Sequence, residues 1–185
     1  VLVGLSQGGM IAQALALTRP DLAGGLVLAA TSCRSHPDSR TNMEARIAAL
    51  ADAGPEAAAR VAADSIFSRT WRDSHPQQLA YFLHWRCLAP AAPLTAAMRA
   101  VYGYDLSPEL PRIAVPTLVV AGDADTLIPP VASEQIAALI PHAELHLLPG
   151  VGHTIPVEAP DAFSHLLRDF LQRRSTRLQT TEASQ

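Results

Sequence analysis

The sequence predicts an α/β fold in which a parallel sheet is flanked by helices and interrupted by a helical insertion. Short apolar runs, most of them without polar alternation, occur before residue 32 and after residue 110, as in strands that are buried on both faces of a parallel sheet. Helical segments follow these runs. In the middle of the chain the β-branched runs stop, and alanine-rich helical pieces take over. We therefore expect an α/β core over 1–31 and 111–173, a helical lid over 32–110 and a disordered tail over 174–185.

The first strand is predicted over Val1–Leu5, and the helix after it over Gln7–Arg19. This helix is apolar nearly all round, which is typical of a helix packed inside a protein. A Pro-Asp pair ends it. Two glycines then precede a second buried strand, Leu26–Ala30.

Four helical pieces are predicted inside the insertion. Apolar residues at helical spacing mark the first two, and Gly54-Pro55 separates them. The third runs over about Pro76–Ala89 and the fourth over about Pro93–Gly103. The insertion holds both tryptophans and all three tyrosines, so two interpretations stay open: these rings form a small helical core, or they line a substrate pocket under the lid. The candidates for lining a pocket are Trp71, Tyr81, Phe82, Trp85 and Tyr102.

The α/β alternation resumes after the insertion. A strand is predicted over Thr117–Ala121, followed by a helix over Val131–Ile140 that Pro141 stops. The next strand, Ala143–Leu148, alternates partly between polar and apolar residues, which indicates a sheet edge with one wetter face. A last helix over about Pro160–Arg173 carries a stripe of apolar residues that predicts burial of one face.

Composition excludes several classes of function. The 185 residues are 49% hydrophobic and 17% charged, which describes a globular chain and not a disordered one. A net charge of −3 gives no electrostatic reason to expect a nucleic-acid partner. Cys33 and Cys87 lack metal-site spacing, and lone thiols without a secretory signal fit a reducing cytoplasm. No run approaches the roughly 18 apolar residues of a membrane span. Because the chain begins inside a strand, we expect it to be truncated at its N-terminus.

A serine stands in the pattern G-x-S-x-G between the first strand and the first helix. In the run Gly4-Leu5-Ser6-Gln7-Gly8, such a turn holds the serine at strained backbone angles and brings the flanking residues together. We expect glycine at positions 4 and 8 to prevent a collision there. The helix that follows points its first N–H groups toward whatever Ser6 attacks. The pattern by itself also arises by chance.

Two later segments offer the partners that a nucleophilic serine needs. A serine hydroxyl requires a base within hydrogen-bond reach, and a carboxylate to orient that base. Asp123 and Asp125 both follow the third strand, and we favour Asp125 because it lies further from the strand end, although the pair could simply form a turn. His153 follows the last strand and two glycines, unlike the other histidines. Because all three groups follow parallel strands, we expect them to meet at one edge of the sheet.

The segments GLSQGG, AGDADTLIPP and GVGHTIPVEAP together resemble the α/β-hydrolase superfamily, especially its lid-bearing esterases and lactonases such as 3-oxoadipate enol-lactonase. The resemblance extends to about Arg173 and implies the C-terminal part of an α/β-hydrolase fold. It implies that Ser6 is the nucleophile, Asp125 the acid, His153 the base and the backbone N–H of Gln7 an oxyanion donor. Members of the family have further strands before the serine turn, and a loop there supplies a second oxyanion donor. We therefore expect the first strand to expose an apolar edge.

The resemblance implies hydrolysis of a small carboxylic ester or lactone through an acyl-enzyme, with no cofactor and no metal. A cofactor-free perhydrolase and a carbon–carbon bond hydrolase use the same three groups and stay open. Serine at position 6 argues against haloalkane dehalogenases and epoxide hydrolases, which carry aspartate there. A non-catalytic small-molecule receptor and an inactive fragment are further alternatives. We expect a small-molecule substrate, no nucleic-acid or membrane partner, and a cytoplasmic location.

Overall fold

A parallel sheet lies at the centre of the computed structural model, which describes residues 1–35 and 37–182. Among these residues the sheet has four strands, and all three pairings between neighbours are parallel. The spatial order of the strands is their order in the chain, so their carboxyl ends lie along one edge of the sheet. The strands are β1 (Leu2–Leu5), β2 (Leu26–Ala29), β3 (Thr117–Gly122) and β4 (Glu144–Leu148).

Helices connect the strands and form the insertion between β2 and β3. In chain order they are α1 (Gln7–Thr18), α2 (Pro37–Asp52), α3 (Gly54–Ile66), α4 (Arg69–Ser74), α5 (Pro76–Cys87), α6 (Ala91–Arg99), α7 (Pro130–Leu139), α8 (Ile155–Glu158) and α9 (Pro160–Glu182).

The core has two layers, one on each face of the sheet. Successive residues of a strand point to opposite faces, and both faces of β2 are buried. Leu28 lies in the cluster that includes α1 and α7, together with Ile136. Val27 lies in the cluster on the other face, with Ile155 of α8 and Phe170 of α9. The predicted parallel sheet between helical layers is therefore confirmed.

The described residues of the insertion form five α-helices in place of the four predicted pieces. The additional helix is α4, whose N-terminus is capped by Ser68: its side-chain oxygen accepts a hydrogen bond from the backbone N–H of Trp71 at 3.2 Å. The rings of Phe67 and Trp71 stack with their centroids 4.3 Å apart, and Phe82 meets Phe67 edge-on at 5.0 Å. These rings give the insertion its own small core.

The first strand agrees with expectation, whereas the last helix differs from it. Val3 of β1 is 53% exposed, so the first strand does present an apolar edge. At the other end, α9 continues to Glu182, whereas the sequence predicts a helix end near Arg173 and disorder beyond it. Residues 174–182 are helical, and 183–185 lie outside the described residues. No helix in the described part of the chain combines the length and the hydropathy needed to cross a membrane.

The turn at Ser6 depends on glycine at positions 4 and 9. A Cβ atom on Gly4 would lie 2.6 Å from the carbonyl carbon of Gly8, so this glycine is needed as predicted. A Cβ on Gly8 would meet nothing within 4 Å, which corrects the prediction for that position: its backbone, not its missing side chain, approaches Gly4. A Cβ on Gly9 would lie 2.6 Å from the Cβ of Thr31.

We expect Gly9→Ala to lower the free energy of unfolding by about 1–3 kcal/mol, because the added methyl group forces the Thr31 side chain to move. Gly8→Ala is the matched control in the same helical turn. It should change the free energy by less than about 1 kcal/mol, because alanine favours the helix and meets no neighbour. Urea unfolding followed by circular dichroism measures both values. Equal losses in the two variants would contradict the packing described above.

Candidate active site

Ser6 lies at the tip of a tight turn between β1 and α1. Its φ of 54° and ψ of −121° are unusual for a residue with a side chain, and such strain persists only where the surroundings impose it. The Ser6 N–H donates to the carbonyl of Ala29 at 2.9 Å, and the hydroxyl of Thr31 donates to the carbonyl of Ser6 at 2.7 Å. Contacts with β2 and the residues after it therefore hold Ser6 in place beyond the sheet edge.

The loop after β3 holds Asp125 against His153. One carboxylate oxygen, Oδ1, accepts the backbone N–H groups of Leu127 and Ile128, each at 2.9 Å. The other, Oδ2, lies 2.8 Å from Nδ1 of His153, and the two side chains are 0% and 6% exposed. An ionised carboxylate can only accept hydrogen bonds, so the imidazole donates through Nδ1–H. The lone pair on Nε2 is then available as a base.

The structure separates the two aspartates between which the sequence left a choice. Asp123 is exposed, and its Oδ1 accepts the N–H of Gly150 at 2.6 Å, so it fastens the turn before His153. Asp125 is buried, and its carboxylate is hydrogen-bonded to the imidazole of His153. Of the two, only Asp125 is hydrogen-bonded to His153 among the described residues, whereas Asp123 fastens a turn.

The loop that carries His153 is fastened to the insertion at two points. The backbone N–H of His153 donates to the carbonyl of Ile66 at 2.9 Å, at the end of α3. The carboxylate of Glu158 accepts the N–H groups of Gly152 at 2.9 Å and of Ser68 at 3.0 Å. Sequence reasoning missed both Glu158 and Ser68. The available signal was a single acidic residue in the otherwise uncharged segment GVGHTIPVEAP.

An apolar cluster joins the serine turn to the Asp125–His153 pair. Leu127 and Ile128, whose N–H groups bind Asp125, form this cluster with partly buried Met10 of α1 and Ile66 of α3. Within the described residues, no hydrogen bond links the Ser6 hydroxyl to the imidazole. Hydrogen bonds between catalytic groups are often long in the absence of substrate and tighten when it binds.

A cavity of about 190 Å³ lies between the sheet edge and the lid, and Ser6 lines it. Met10, Leu127 and Ile128 form its apolar wall on the core side. The polar part of its lining includes Gln7, at the start of α1, and Arg46. The lid side of the cavity is formed by Met43, Leu94, Ala97, Met98 and Val101.

None of the five aromatic pocket candidates is among the residues that line this cavity, which corrects the sequence prediction. Trp71 and Phe82 belong to the small core of the insertion. Tyr81 and Trp85 are 69% and 55% exposed, and the guanidinium of Arg40 lies 5.0 Å from the centre of the Tyr102 ring. The physical reason is that Trp71 and Phe82 pack lid helices against one another and Tyr81 and Trp85 lie at exposed positions of α5, while methionine and aliphatic side chains face the cavity.

Two further kinds of lining residue were missed from the sequence. Ser32 and Ser35 follow β2 at the same sheet edge as Ser6, so their position after a strand was the available signal. Arg46 lies among Met43 and Ile47 at helical spacing, and a charge on an otherwise apolar helix face was the signal there. Among the described residues, no group of three or more His, Cys, Asp and Glu side chains is arranged to hold a metal ion.

Gln7 begins α1, directly after Ser6. The first N–H groups of a helix have no partner within the helix, so they can donate to negative charge that develops beside the serine. The Gln7 side chain donates to the carbonyl of Ala97 in the lid at 3.2 Å. The candidate oxyanion donor is therefore also a contact between the core and α6.

Comparison with known proteins agrees with this architecture. The family described as "Alpha/beta hydrolase family" matches residues 1–166. RutD of Stutzerimonas stutzeri (strain A1501), provisionally named a carbamate hydrolase, is 30% identical over 174 residues, which cover 91% of this chain and 64% of that protein. A hydrolase of Pseudomonas aeruginosa PA01 is 34% identical with a TM-score of 0.81, over 91% of this chain and 63% of that one.

The enol-lactonase of Burkholderia xenovorans LB400 has a similar structure, with 28% identity and a TM-score of 0.83 over 92% of this chain and 64% of that one. The chain thus spans a little under two thirds of the length of these relatives. The match over 1–166, together with a serine turn, an acid and a histidine at one edge of a parallel sheet, shows that this chain belongs to the alpha/beta hydrolase family.

Proposed function

We propose that this chain carries the catalytic residues of a serine hydrolase that cleaves small carboxylic esters or lactones through an acyl-enzyme. The observation that carries the proposal is the buried Asp125–His153 pair at the same sheet edge as a strained serine that lines a cavity. The relatives named as an enol-lactonase and a carbamate hydrolase support it, since both names describe hydrolysis at an acyl carbon.

In the first half of the proposed reaction, the Ser6 oxygen attacks the carbonyl carbon of the substrate. Nε2 of His153 accepts the hydroxyl proton, and the N–H of Gln7 donates to the oxygen that becomes negative. The Asp125 carboxylate holds the imidazole in the required tautomer and stabilises the imidazolium. The tetrahedral species then expels the alkoxide, which takes the proton from His153, and the acyl group stays on Ser6.

In the second half, a water molecule replaces the alcohol. His153 accepts a proton from this water as its oxygen attacks the acyl carbon. The resulting tetrahedral species breaks its bond to the Ser6 oxygen, which recovers the proton from the imidazolium. The products are a carboxylic acid and an alcohol, or one hydroxy acid when the substrate is a lactone.

The acyl-enzyme can be trapped directly. We expect p-nitrophenyl acetate, quenched with acid during turnover, to leave one acetyl group on the protein, and peptide mapping to place it on Ser6. The same analysis after incubation with phenylmethylsulfonyl fluoride should find the label on Ser6. Turnover without any adduct at the earliest quench times, or an adduct on another residue, would contradict the acyl-enzyme mechanism.

A further inference from the structure

A buried positive charge lines the cavity beside Ser6, and no partner for it is found among the described residues. Arg46 lies on the lid helix α2, is only 9% exposed and lines the cavity together with Ser6. Its Nε atom is buried without a hydrogen-bond partner, and among the described residues no carboxylate forms an ion pair with it. Charged side chains are seldom buried in this way unless a partner of opposite charge compensates them.

Nothing else in the lining supplies that compensation. Arg46 is the one charged residue among the described residues that line the cavity, and the other polar groups there are serine hydroxyls and Gln7. Burial lowers the pKa of the Arg46 guanidinium to about 10, and the like charge of Arg86 adds to this effect. An anion in the cavity would offset both costs, whereas a neutral hydrogen-bond acceptor would offset only part of the cost of burial.

The position of the charge relative to the serine defines what such an anion has to be. Ser6 and Arg46 line one cavity of about 190 Å³ from the core side and the lid side, so a single small molecule can contact both. The apolar residues Met43 and Met98 of the lid line the same cavity. The cavity therefore offers a serine for the acyl group, an apolar stretch for a short chain, and a guanidinium for an anionic end.

We propose that Arg46 binds a carboxylate of the substrate, so that the enzyme acts on small esters or lactones whose acyl part carries a second, free carboxylate. This inference rests on the proposed hydrolase function. A guanidinium forms two parallel hydrogen bonds to a carboxylate, and the strength of these charge-assisted bonds sets the expected discrimination. Arg46 is then a substrate-binding residue that selects charged over neutral acyl groups.

The test compares two esters that share a leaving group: mono-p-nitrophenyl succinate, which has a free carboxylate, and p-nitrophenyl methyl succinate, in which that carboxylate is masked. We expect kcat/KM to favour the free carboxylate by about 10- to 100-fold. Arg46→Met should remove this preference, because kcat/KM for the free carboxylate falls by about 10- to 100-fold and kcat/KM for the masked ester falls by much less. Arg99→Met, an exposed arginine of α6, is the matched control and should keep the preference.

Thermal stability separates a binding role from a structural one. Methionine replaces an uncompensated buried charge, so we expect Arg46→Met to unfold at the same temperature as the original protein or higher, even as it loses the carboxylate preference. No preference in the original protein, or an equal loss of activity toward both esters in Arg46→Met, would overturn the proposal. A destabilised variant with an unchanged preference would do the same.

Binding can be measured without turnover, so failure of the hydrolase function would be seen separately. Monomethyl succinate should raise the unfolding temperature of the original protein, dimethyl succinate should not, and Arg46→Met should abolish the difference. If neither nitrophenyl ester is cleaved but the monomethyl ester still stabilises the protein through Arg46, the hydrolase proposal fails while the carboxylate site stands. If the two methyl esters act equally on the original protein, the carboxylate site fails, whatever the activity.

Discussion

Replacing Ser6 by alanine is expected to lower kcat for p-nitrophenyl ester hydrolysis by about ten-thousand-fold or more, because the acyl-enzyme cannot form without the hydroxyl. The cavity and the candidate oxyanion donor at Gln7 stay in place, so KM should change much less than kcat. Stopped-flow and steady-state release of p-nitrophenolate measure both constants. The variant should also fail to take up the acetyl group.

Ser35→Ala is the matched control, because Ser35 lines the same cavity and follows a strand at the same sheet edge. Its backbone N–H bonds to the carbonyl of Tyr104 at 2.8 Å, which the substitution leaves intact. We expect kcat to stay within about ten-fold of the original value, the range of a modest binding contact. Retention of activity in Ser6→Ala, or an equal loss in both variants, would be incompatible with Ser6 as the nucleophile.

Replacing Asp125 by asparagine is expected to lower kcat by about a thousand- to ten-thousand-fold. The amide keeps the shape of the carboxylate, but its NH₂ group cannot accept a hydrogen bond from Nδ1–H. Since Oδ1 already accepts the N–H groups of Leu127 and Ile128, the NH₂ group has to face His153 and favours the tautomer with its proton on Nε2. That tautomer cannot accept the proton of Ser6.

Asp123→Asn is the control for this substitution, two residues away in the same loop. Asp123 is exposed, and its carboxylate accepts the N–H of Gly150, a bond that the asparagine carbonyl also accepts. We expect kcat within about three-fold of the original, since this bond is kept and no hydrogen bond joins Asp123 to His153 among the described residues. Steady-state kinetics on both variants decide between the aspartates. A greater loss in Asp123→Asn would exchange their roles.

Most of the framework was accessible from sequence because it depends on local patterns. Uninterrupted apolar runs followed by helices predict a parallel sheet, and parallel strands bring their carboxyl ends to one edge. Ser6, Asp125 and His153 each follow such a strand, so their position at one sheet edge, and the approach of Asp125 to His153, could be expected before any distance was known. The limits of this reasoning appear at Gly8, where the pattern predicted a collision that the backbone geometry does not produce.

The lid shows where local patterns stop being informative. Aromatic residues of the insertion could form a core or line a pocket. Helical periodicity shows which side chains share a helix face, but not whether that face packs against other helices or borders a cavity. The structure places Phe67, Trp71 and Phe82 in a core of the insertion and leaves the cavity to residues such as Met98 and Arg46. The charge of Arg46 on an apolar helix face was visible in the sequence. Whether that face borders solvent, the core or a cavity depends on which elements pack against the helix.

The sequence by itself determined the order of the strands, the tight turn at Ser6 and the two segments that hold Asp125 and His153, because these follow from short-range periodicity and from the few conformations that glycine and proline allow. The tertiary structure alone decided that Asp125 faces His153, that Glu158 fastens the histidine loop to Ser68, and that Arg46 enters the cavity. Glu158 and Ser68 are 90 residues apart in the chain. Contacts of that kind depend on how separate elements pack, and no local pattern encodes their distance.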